Sequence, residues 1–205
     1  MINTSSAQIK ENKTIRVTPM HEFLKKNADT TFILKYESNW LHAPEYFIIS
    51  KKGDTISSYT YKSGPKIDKR IILPRNIAHK LHKRNSLDII HTPVDINFYF
   101  NPKYLHQDTL KQFWTSIMKL SPWKIRDDSF DGEGCPLVTG DKKNQKHISD
   151  GGGITFDLIT KDGIKNLYFY APDFFEKEGC PGRPGRQSIL RLSKLFSTYF
   201  KEDSN

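Results

Sequence analysis

Two cysteines in 205 residues exclude a disulfide-rich scaffold and any four-cysteine zinc module. No apolar run approaches the roughly 18 residues that a membrane-crossing helix needs. The first eight residues, Met1 to Gln8, lack both a cationic stretch and an apolar stretch, so no secretory leader is written there. Ser5-Ser6-Ala7 before Gln8 does have the small residues that flank a leader cleavage site, so two locations stay open. The protein is expected to be periplasmic or secreted if a leader was removed, and cytoplasmic otherwise. Acid is scarce in the first half: residues 1–103 hold 17 Lys+Arg against 9 Asp+Glu, whereas residues 104–205 hold 15 against 14.

The two cysteines sit in identical tetrapeptides, Glu133-Gly134-Cys135-Pro136 and Glu178-Gly179-Cys180-Pro181. Glycine opens positive-φ conformations, and a following proline drives the cysteine toward extended geometry. Both thiols are therefore expected on loops, where Cys135 and Cys180 could bond. Closing their 45-residue separation would stabilise the fold by about 4 kcal/mol on chain-entropy grounds. Two inert thiols are the competing reading.

The net charge of +9 is concentrated. Lys62, Lys66, Lys69, Arg70, Arg75, Lys80, Lys83 and Arg84 face only Asp68 within residues 62–84. Such a cluster attracts phosphate backbones, anionic membrane surfaces or acidic proteins, although a solvated helix face would have the same composition. It lacks the aromatic interleaving of single-strand binders and any RNP, KH, zinc-finger or basic-zipper pattern, so nucleic acid is not the favoured partner.

Hydropathy periods organise the chain as α+β. Residues 1–17 read as a flexible arm, followed by one domain over 18–205. Thr18-Pro19 starts a helix through Asn27, with Thr as N-cap. Thr31–Ser38 alternates as a half-buried strand. Glu45–Ser50 and Thr55–Lys62 flank a turn centred on Lys52-Gly53, which pairs Ile49 with Ile56 and Tyr46 with Tyr59. Arg70–Leu73, Leu87–Ile90 and Val94–Phe100 read as strands, with a wet helix from Pro74 to about Arg84 between the first two. Leu110, Phe113, Trp114, Ile117 and Met118 form the apolar stripe of a helix over 107–120. Residues 121–153 form a long irregular loop.

A turn at Asp162-Gly163 predicts a second hairpin, with Leu158 opposite Leu167 and Phe156 opposite Phe169. A short helix over Pro172–Lys177 and a terminal helix from Gln187 to Phe200 complete the chain. The expected architecture is an antiparallel sheet of about five to seven strands with helices packed on one face.

No motif identifies a reaction. Asp127 to Glu133 imitates the start of a calcium loop, but Val138 occupies the position where a bidentate Glu is required. Gly151-Gly152-Gly153 precedes a strand, so it lacks phosphate-loop geometry. Cys135, His147 and Asp150 have the residue types of a thiol hydrolase without its spacing, and His79 with His82 makes no metal site alone. Arg183 and Arg186 stand before the terminal helix, where they could clamp a carboxylate or phosphate. The pattern supports a non-enzymatic binding module of unidentified ligand, with no cofactor or metal expected. The alternative is a polyanion or nucleic-acid binder using residues 62–84, chiefly Arg75, Lys80, Lys83 and Arg84. A third reading is an enzyme sited on the 121–153 loop.

Overall fold

The computed structural model describes residues 17–37, 45–63, 72–131, 148 and 151–201, with the side chains of 82, 85–91 and 131 left aside. In chain order these form α1 (Pro19–Asn27), β1 (Thr30–Glu37), β2 (Glu45–Lys52), β3 (Thr55–Lys62), α2 (Arg75–His91), β4 (Phe100–Pro102) and α3 (Gln107–Lys119). A 3₁₀ turn over Pro122–Lys124 leads to α4 (Asp128–Asp131), then β5 (Gly153–Thr160), β6 (Ile164–Tyr170), α5 (Pro172–Phe174), a π-turn (Phe175–Gly179) and α6 (Pro184–Phe200). The strands make one six-stranded sheet, ordered β4-β3-β2-β1-β5-β6, with every pair antiparallel. The α+β class is thus as expected.

Side-chain alternation sends Phe32, Leu34, Ile49, Phe156, Leu158, Leu167 and Phe169 to one face, where they meet Leu110, Phe113 and Ile117 of α3 and Ile189, Leu192 and Phe196 of α6. Aromatic edges hold this layer, as in the T-shaped contact of Phe113 and Phe196 at 5.0 Å. The two long helices therefore cover the face that the periodicity assigns to them. The opposite face is buried too. Met20 and Leu24 of α1 pack on Ile33, Tyr46, Ile48, Tyr61 and Ile159, with Val94 and Tyr99 alongside. Strand β1 is consequently buried on both sides rather than half-buried, since Ile33 is as inaccessible as its neighbours Phe32 and Leu34.

Both hairpins differ from the expected pairing by two residues. Gly53-Asp54 is the first turn, with Gly53 at φ +56°, so Ile49 lies opposite Ser58 and Tyr46 opposite Tyr61. A glycine at the first turn position suits a two-residue hairpin better than the expected lysine, which cannot easily take positive φ. In the second, Thr160 N–H donates to the Gly163 carbonyl, the turn is Lys161-Asp162, and Phe156 lies opposite Leu167 with Leu158 opposite Lys165. Gly163 has no positive φ and stands just past the turn, so the Asp-Gly signal misplaced it.

Residues 87–90 continue α2 instead of forming a strand, and of the expected 94–100 strand only Phe100 pairs with the sheet, as the first residue of β4. Asn and Asp side chains explain the second difference. Asp95 accepts the Ile96 N–H at 2.6 Å and Asn97 accepts that of Tyr99 at 2.9 Å, turning the chain before it can extend. Leu73 is irregular, whereas Arg70 and Ile71 of the expected first strand lie outside the described residues.

Candidate anion-docking surface

Pro74 opens α2 by accepting the N–H groups of Ile77 and Ala78 on its carbonyl, both at 2.9 Å. At 100° per residue, Arg75, His79 and Lys83 form one i+4 row and Asn76, Lys80 and Arg84 the next. Together they cover about half of the helix circumference. Ile77, Leu81 and Ala78 occupy the flank beside Arg84. Every described side chain from Arg75 to Arg84 is exposed, Ile77 to 44% and Leu81 to 40%. The first turn contains no acid. None of the ion pairs found among the described residues uses Arg75, Lys80, Lys83 or Arg84. The structure brings these four cations onto one helix and leaves their charge facing solvent.

The rest of the basic segment divides. Lys62 closes β3 and pairs with Glu45 across the strand at 3.1 Å, so part of its charge is satisfied within the sheet. Lys66, Lys69 and Arg70 lie outside the described residues.

Arg183 and Arg186 do not form a common clamp. Arg183 is the half-buried N-cap of α6. Arg186, one turn on, is sealed inside the protein: Nη2 donates to Asp128 Oδ1 at 3.1 Å, and the two side chains are 0% and 4% exposed. Its Nη1 donates to the Cys180 carbonyl at 3.4 Å, and the guanidinium lies over the Phe175 ring at 5.3 Å. The carboxylate that Arg186 was expected to capture is supplied by the chain itself. Asp128 Oδ2 accepts the Tyr170 N–H and Asp127 Oδ2 that of Tyr168, each at 3.1 Å, so this junction also satisfies the outer edge of β6. Burial pushes the Asp128 carboxyl above its usual range, against the opposing pull of Arg186 and of the Tyr170 N–H. Cys180 ends the π-turn and is not free, whereas Cys135, His147 and Asp150 lie outside the described residues. We propose Cys135, the one other cysteine in the sequence, as the bonding partner of Cys180.

One constellation escaped sequence reasoning. His21 occupies the third position of α1, where its Nδ1 accepts the Thr18 N–H at 3.2 Å and lies 2.6 Å from Thr18 Oγ1. Its Nε2 lies 3.0 Å from Asp157 Oδ2, with both side chains buried, and Asp157 Oδ1 accepts from Asn166 on the paired strand. A hydroxyl, an imidazole and a carboxylate in series are the residue types of a nucleophilic relay. Here the acceptor nitrogen also serves the N-cap amide. With Nδ1 on the Thr18 N-cap and Nε2 on the buried Asp157, the imidazole caps α1 and latches it to the sheet. Among the described residues no group of three His, Cys, Asp or Glu gathers as a metal would require. The chain matches no protein-family model and no curated protein sequence.

Proposed function

We propose that this protein is a non-enzymatic binding module, with α2 as the element that meets an anionic partner. The supporting observation is the set of exposed cations on one helix whose described side chains contribute nothing to the core. A cation at the start of a helix opposes the positive end of the helix dipole and weakens the helix by a few tenths of a kcal/mol. Arg75 stands there, and no acid in the first turn compensates. That cost is unexplained by folding and is offset when an anion binds.

The test is binding of heparin and duplex DNA to the wild-type chain and to the K80Q/K83Q/R84Q variant. Wild-type affinity is expected to be weak, independent of sequence and lost by about 200 mM salt. If the three cations contact phosphates, the slope of log K against log salt on duplex DNA falls by roughly 2.7 in the variant. Equal binding by the two proteins would remove α2 from the proposal. A sequence-selective interaction surviving physiological salt would replace it with nucleic-acid recognition.

A further inference from the structure

We infer that the partner of α2 is the anionic headgroup surface of a phospholipid bilayer, on which the helix lies in the plane of the interface; this rests on the reading of α2 as an anion-docking element. The observation that goes beyond charge is the aliphatic flank. Ile77 and Leu81 share one i+4 row and keep 44% and 40% of their surface in solvent, and Ile72, two residues before Pro74, is 95% exposed. A phosphate backbone gains nothing from an exposed isoleucine or leucine. Single-strand recognition uses aromatic platforms, and residues 72–84 contain no Phe, Tyr or Trp. A bilayer interface takes both halves of the helix at once. Lys and Arg meet anionic headgroups, while aliphatic side chains enter the headgroup–acyl boundary.

The placement of the residues fits this arrangement. The row of Lys80 and Arg84 adjoins the aliphatic row, so a helix lying flat can turn Arg84 and Lys80 toward headgroups as Leu81 and Ile77 dip below them, with Lys83 on the far side. No helix among the described residues is long and apolar enough to cross a membrane. The association is therefore peripheral and reversible. Each cation near an anionic surface contributes roughly fivefold to partitioning, so Lys80 and Arg84 together contribute roughly 25-fold.

The experiment is co-sedimentation of the full chain with vesicles of phosphatidylcholine alone and with 30 mol% phosphatidylglycerol, alongside heparin binding at the same salt. Two variants separate the contributions: K80Q/K83Q/R84Q, and I72S/I77S/L81S. All three aliphatic positions are exposed, so the second variant should retain the wild-type circular-dichroism spectrum and melting temperature. Wild-type protein is expected to sediment with anionic vesicles and not with neutral ones, and the charge variant to lose at least tenfold in partitioning to vesicles. The aliphatic variant is expected to lose at least fivefold on vesicles while binding heparin unchanged. Equal vesicle binding by the aliphatic variant and wild type would overturn the inference. Heparin binding without vesicle binding would also overturn it, leaving the anion-docking reading in place. Failure to bind both would end the two together. Tighter binding to duplex DNA than to anionic vesicles would assign α2 to nucleic acid instead.

Discussion

Arginine 186 offers the sharpest test of how the fold is held. Its guanidinium is wholly buried and ties α6 to Asp128 of α4, to the Cys180 carbonyl and to the Phe175 ring, while Asp128 in turn holds the Tyr170 N–H of β6. Replacing Arg186 with Met keeps much of the side-chain volume and removes the charge. Asp128 is then left in a dry site with one backbone donor. Breaking a buried pair from one side costs about 3–5 kcal/mol, because the remaining charge keeps its desolvation penalty without its partner. For a chain of this size that corresponds to a fall in melting temperature of about 10 °C. Urea unfolding followed by circular dichroism would measure it, with the slope against urea expected to stay constant.

The pH dependence has a definite sign. In the wild type the Asp128 carboxyl already titrates above the ordinary aspartate value of 3.8, because burial outweighs Arg186. Its contribution to stability is complete below pH 3.8, where it is protonated in both states, and is lost as pH rises through the folded-state value. R186M removes the opposing pull, moves that value higher and enlarges the loss at neutral pH. The gap between variant and wild type should therefore narrow from pH 7.5 to pH 5. The double variant D128N/R186M keeps an acceptor for Tyr170 without a charge and should recover more than half of the loss. An R186M protein within about 1 kcal/mol of wild type at neutral pH, or a double variant no more stable than R186M, would refute this account.

Gly185 precedes that arginine, and a Cβ there would overlap the carbonyl oxygen of Arg126. G185A should lose about 2 kcal/mol despite the better helix propensity of alanine, and a gain in melting temperature would show that the close approach is not made. For the cysteines, a peptide map without reductant should yield one linked fragment containing Cys135 and Cys180. Separate fragments with alkylated thiols would end that proposal.

The sheet was legible where burial obeys simple periods and illegible where only a turn fixes the register. Ile154, Phe156, Leu158, Leu167 and Phe169 share a face at either pairing, because a two-residue slip preserves alternation. Turn chemistry had to choose between the two registers, and Asp162-Gly163 pointed to the wrong one. Leu87-Asp88-Ile89-Ile90 has three apolar residues in four, a pattern too short for periodicity to assign to strand or helix. The second core does have a signal in the sequence: Phe32-Ile33-Leu34 and Phe47-Ile48-Ile49 are continuous apolar runs, as strands covered on both faces require. Reading them so would have put Asp157 in a buried position and asked what satisfies it. His21, 136 residues away, could not be named from local pattern.

Arginine itself shows where sequence stops deciding function. Arg186 and Arg84 are chemically identical, and both were reasonable anion ligands beside other basic residues. The fold separates them through the position of a carboxylate. Asp128, 58 residues earlier in the chain, reaches Arg186 in a dry junction and consumes its charge internally. Arg84 is exposed on a helix whose nearest acid in sequence, Asp88, lies one i+4 step further on. An i,i+4 pair in the order Arg-to-Asp is the weaker orientation and is worth only a few tenths of a kcal/mol at an exposed site. It would leave Arg75, Lys80 and Lys83 uncompensated. The chain neutralises one arginine inside its core and leaves Arg75, Lys80, Lys83 and Arg84 exposed on α2, the four cations that the proposed function assigns to an anionic partner. Replacing the internal cation should change stability, and replacing the external ones should change binding.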